Sequence, residues 1–157
     1  MTNGAPYDPI VGARGAALEV LTTRRGLGWW PLVVRVAAGV TLIVVSLSKF
    51  TRHEALVDSF ERYGVPLPDA SVYVAGAVEL GGGLLLLVGL ITRVAAAVVA
   101  INMAVALLTG GRVDVDLYHV GLGSILLIAA LFLLWAGGGP WSVDERLVAT
   151  TTRPQTT

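Results

Sequence analysis

The chain has 157 residues, 55% of them hydrophobic and only 14% charged, against about 25% charged in an ordinary soluble domain. Its 11 basic and 11 acidic side chains cancel, which excludes a nucleic-acid binder driven by phosphate neutralisation. Cysteine is absent, and with it a disulfide framework, a thiolate metal site, a CxxC redox pair and a cysteine nucleophile.

Residues 1–28 hold Gly, Pro, Asp and Arg without a long apolar run. No secretory signal peptide is expected there, and the stretch reads as a partly disordered cytoplasmic tail. The first apolar run opens at Trp29-Trp30-Pro31 and closes at Phe50. Its leading proline and length of about 20 residues suit a spanning helix over 31–50. A second run covers 71–91 and is broken by Thr92-Arg93. A third, over about 93–109, is short but spans with its flanks or with local bilayer thinning. The fourth, 117–136, ends in Gly137-Gly138-Gly139-Pro140, a strong helix stop.

A soluble bundle needs a polar stripe on each outer helix face, and these four runs are apolar all round. The expected fold is therefore all-α, a polytopic membrane protein built as an antiparallel four-helix bundle over residues 29–146. Residues 147–157 read as a disordered tail.

Four spans put both termini on one side. That side carries Arg14, Arg24, Arg25, Arg93, Arg146 and Arg153, and the other carries Arg52, Arg62 and Arg112 with Lys49 at its edge. The imbalance favours termini in the cytoplasm. Trp29, Trp30, Trp135 and Trp141 fall on the terminal side and Tyr63, Tyr73 and Tyr118 on the other, as interfacial belts require. Between spans one and two, HEALVDSFERY (53–63) places Leu56, Phe60 and Tyr63 at i, i+4 and i+7. With Gly64 and Pro66 as a stop, this predicts a short amphipathic helix on the membrane surface or capping the bundle.

Several features occur in a recognisable order. They are Arg35 and Gly39 in span one, Lys49-Phe50 at its end, Gly64-Val65-Pro66, and Glu79-Leu80 before Gly81-Gly82-Gly83. Gly89-Leu90-Ile91-Thr92-Arg93 and Gly139-Pro140-Trp141-Ser142-Val143-Asp144 follow. Over about residues 31–146 this order and spacing resemble the DoxX family of small bacterial membrane proteins. The resemblance implies a four-helix bundle in the bacterial inner membrane. It also implies a loose association with quinone-linked sulfur oxidation and redox stress, and it supplies no catalytic residue to carry over.

Glu79 is the candidate catalytic residue. It lies roughly 12 Å inside span two, where a lone carboxylate must face the bundle, pair or take up a proton. It reads either as a proton-handling or quinone-contacting acid or as a structural acid bonded to a neighbouring helix. Asn102 lies at a similar depth, and Lys49 and Arg35 are the bases within reach, each equally able to snorkel to its own interface. Glu79, Asn102, Lys49 and Arg35 therefore form the candidate cofactor-binding cluster, with Lys49 the preferred partner of Glu79.

Asp116 and His119, three apart, share a helix face, and His53 lies on the same membrane side. A metal or haem there competes with Asp116 as a helix cap and His119 as an interfacial residue, and no metal site is expected. The glycines of span two suit close helix packing rather than phosphate binding. No tightly bound cofactor is expected, a quinone being the one candidate. The expected partners are the lipid bilayer, a soluble or membrane redox protein, and a second copy of the chain. The sequence thus reads as a membrane subunit or anchor of a quinone-linked or redox-stress oxidoreductase system. The alternative is a non-catalytic scaffold or small carrier.

Overall fold

A computed structural model describes residues 27–115 and 117–151. Within these residues six α-helices follow in order: α1 (Trp30–Thr51), α2 (His53–Arg62), α3 (Pro68–Val88), α4 (Thr92–Val113), α5 (Gly123–Ala136) and α6 (Val143–Thr151). A π-helical stretch, Leu117–Leu122, leads directly into α5. Among the described residues four helical segments, Trp30–Thr51, Pro68–Val88, Thr92–Val113 and His119–Ala136, are long and apolar enough to cross a membrane. The all-α fold with four spans is as expected, and no strand occurs among the described residues.

Local chemistry sets the helix ends. Proline stands in the first turn of both α1 and α3, where a missing N–H costs nothing and the ring fixes a helical φ. α3 stops at Gly89, which takes φ +74 and donates its N–H to Leu85 O; the left-handed conformation suits a residue without Cβ. The turn to α4 occupies only Gly89–Ile91. α4 itself runs past the expected end at 109 to Val113, so the third span is not short. The helix α6 likewise continues to Thr151, into the tail read as disordered. Most of the N-terminal tail lies outside the described residues.

The spans pack as a ring in chain order, α1 against α3, α3 against α4, α4 against α5, and α5 back against α1. Leu42, Leu86, Val99, Met103, Leu126 and Leu133 fill the axis. Large apolar side chains such as Val44, Ile101, Ile125 and Ile128 point outward and are exposed, the arrangement a hydrocarbon solvent permits and water penalises. α1 and α3 approach most closely at glycines: a Cβ built on Gly83 would lie 2.9 Å from Gly39 O. α2 has no fully buried residue. It caps the loop-side end, with His53 stacked on Tyr73 of α3 at a centroid distance of 4.0 Å. Trp29 and Trp141 meet edge to face at 5.5 Å on the opposite, terminal side.

Candidate functional site

Glu79 is 4% exposed on the inner face of α3. Lys49 Nζ, from the last turn of α1, donates to Glu79 Oε2 at 2.7 Å. Asn102 Nδ2, from α4, donates to Glu79 Oε1 at 3.4 Å, a long bond. The carboxylate is thus held from two neighbouring helices, one oxygen to each. A buried pair of this kind survives because each charge cancels the other's desolvation, and breaking it leaves an uncompensated charge. Gly76, one turn from Glu79, makes the approach possible: a Cβ there would lie 3.1 Å from both Lys49 Cβ and Phe50 Cζ.

Three of the four cluster residues therefore come together, and Arg35 does not. Arg35 is 2% exposed at the terminal end of the bundle, where its Nη1 lies 1.4 Å from the position a Cβ on Gly89 would take. Gly89 is ten residues beyond Glu79, about 15 Å along the helix axis. The Asp144 carboxylate is within electrostatic reach of Arg35. Asp144 accepts from the Ile91 and Thr92 amides at 2.6 and 2.9 Å, and its own N–H donates to Gly89 O at 3.0 Å. Asp144 lies in a polar stretch beyond the last span, where depth along an apolar run does not place it. The sequence signal for it is an acid three residues after Trp141, in the first turn of a helix.

The histidines part company. His53 Nε2 bonds Asp69 Oδ1 at 2.8 Å, while its Nδ1 is buried without a partner. His119 Nε2 faces the Tyr63 hydroxyl at 3.5 Å, and Tyr63 donates to Asp114 Oδ2. Arg62 Nη2 is 3.7 Å from the same Asp114 oxygen. Burial first, and then the hydrogen bond to Asp114, push the Tyr63 phenol up to about 12. No group of three potential metal ligands occurs among the described residues; Asp116 lies outside them.

A family model described as DoxX matches residues 30–112. A protein of Mycobacterium tuberculosis named "Uncharacterized membrane protein Rv3486" is 32% identical, the match covering 74% of this chain and 80% of that one. "Putative oxidoreductase CatD" of Bacillus subtilis is 37% identical over 72% of this chain and 83% of its own. No solved structure matches the chain significantly. The matched region carries the first three spans with Lys49, Glu79 and Asn102 on them, and the chain belongs to the DoxX family of membrane proteins.

Proposed function

We propose that the protein is a membrane subunit or anchor of a quinone-linked or redox-stress oxidoreductase system, with Glu79 as its proton-handling group. The observation that carries this reading is the buried Lys49–Glu79 pair, 2.7 Å apart, with Asn102 on the second carboxylate oxygen. Intramembrane ionisable groups are costly and mark functional sites by default. The oxidoreductase association draws on the printed name of the Bacillus subtilis relative.

The residues present suit a quinone head. Lys49 and Asn102 supply N–H donors for a carbonyl, and the Glu79 carboxylate is the base that takes up and then releases a proton. Phe50 packs on Gly76, and His53 keeps a buried, unpartnered Nδ1 at the loop-side end of the bundle. A bound quinone would supply the electron-accepting chemistry; this chain's part is to hold the head and move a proton at the Glu79 carboxylate. The redox centre that delivers electrons belongs to a partner protein. The membrane is the bacterial inner membrane, with both termini on its cytoplasmic face.

Purification in mild detergent followed by solvent extraction tests the reading. Quinone should copurify with the wild-type protein and be depleted in Glu79→Gln and Lys49→Met variants that express normally. A wild-type preparation free of both quinone and a stoichiometric partner would leave the chain as a scaffold or carrier.

A further inference from the structure

The terminal end of the bundle holds a second polar nook, unconnected with Glu79. The amides of Ile91 and Thr92 open α4 and point at one carboxylate, that of Asp144. Unpaired amides and the helix dipole make such a helix start attractive to an anion. Beside it Arg35, 98% buried by its 2% exposure, keeps Nε and Nη1 without a hydrogen-bond partner, and the wholly buried Thr92 Oγ1 is unpartnered too. Buried donors are almost always satisfied, and an orphaned guanidinium signals a missing acceptor. Both of Asp144's oxygens are engaged by the amides, so this internal anion leaves the arginine unfilled.

The segment that brings Asp144 here is a strap. It runs from Gly137 to Ser142 between α5 and α6, with positive φ at Gly137, Gly139 and Trp141. Trp141 is a bulky residue at φ +59, a strained conformation that needs contacts to hold it. Ser142 Oγ donates to Gly139 O at 3.0 Å and accepts from the Glu145 amide at 3.2 Å.

We propose that Arg35, Thr92 and the Ile91 and Thr92 amides form a binding site for a small carboxylate, filled from within by Asp144. A free carboxylate that takes the amides displaces Asp144 and frees the strap with α6 from the bundle. Arg35 supplies the charge, and its unfilled donors give an external carboxylate, free to reorient, bonds that the tethered Asp144 does not make.

The experiment uses the full-length protein in detergent, with formate as the probe and chloride at matched ionic strength as the control. Asp144→Ala empties the site, so formate should raise its apparent Tm in a concentration-dependent way while chloride does not. The effect should vanish in Arg35→Gln/Asp144→Ala. In wild-type protein, formate should accelerate chymotryptic cleavage after Trp141 several-fold over chloride; this arm decides the matter if the Asp144 variants do not fold. Equal responses to formate and chloride, or a formate effect that survives loss of Arg35, would overturn the proposal.

Discussion

Gly39 and Gly83 oppose each other reciprocally across the α1–α3 seam, each presenting its carbonyl oxygen 2.9 Å from where the other's Cβ would be. Neither obstacle is a flexible side chain; both are backbone. Gly83→Ala should therefore force the helices apart and cost about 1–3 kcal/mol. Gly81, two residues away, has nothing within 4 Å of its Cβ position. Gly81→Ala should be neutral or stabilise by up to about 1 kcal/mol through helix propensity. Reversible unfolding in mixed micelles measures both, and an equal response would show that α1 and α3 do not touch there.

Lys49 and Glu79 should behave as a unit. Lys49→Met strands a carboxylate in the bundle and should cost about 3–5 kcal/mol unless Glu79 takes up a proton. Lys49→Met/Glu79→Gln removes both charges and should recover most of that loss. A double-mutant cycle with no coupling would dissolve the pair.

The Tyr63 phenol should titrate above the ordinary tyrosine range. With a folded value of about 12 against an ordinary 10, its contribution to stability is complete below pH 10. It is lost as pH rises towards 12, because the unfolded chain deprotonates first. Ultraviolet titration at the phenolate band should show a late step near pH 12 that disappears in Tyr63→Phe.

Gly89 and Gly64 both adopt positive φ, but a Cβ on Gly64 meets nothing and one on Gly89 collides with Arg35 Nη1. Gly64→Ala should cost only the backbone strain, about 1 kcal/mol. Gly89→Ala should cost appreciably more, because Arg35 must also leave its place. Comparing the two thermal transitions separates conformational strain from displaced side chain.

The orientation can be read with topology reporters. Cytoplasmic reporters should be active when fused at residue 25 and after 146, and periplasmic ones at 60 and 112. A periplasmic reporter active at either terminus would reverse the assignment.

The spans, their number and the Lys49–Glu79–Asn102 grouping were all legible in the sequence. Depth along an apolar run is a linear quantity, and residues at one depth in a narrow bundle can hardly avoid one another. Arg35 shows the limit of that reasoning. Its depth allowed either snorkelling or pairing, and its neighbour Asp144 comes from beyond the last span, where periodicity says nothing. The pairing of Tyr63 with Asp114 and His119 was equally hidden, since it depends on how α2 folds back over Gly110, whose Cβ position the tyrosine ring crowds at 3.0 Å. The extra length of α4 has the same origin: the helix continues because a partner covers its end.

The close glycine seam has a consequence for the two ends of the molecule. On α1 and α3 the buried positions between Arg35 and Glu79 are Ala38, Gly39, Leu42, Gly82, Gly83 and Leu86, none of them titratable. Backbone meets backbone there, Gly39 against Gly83, and apolar side chains surround the contact. The Lys49–Glu79 pair and the Arg35–Asp144 nook are thus set at opposite ends of the bundle with an apolar waist between them, so a substitution in one should leave the other's geometry untouched.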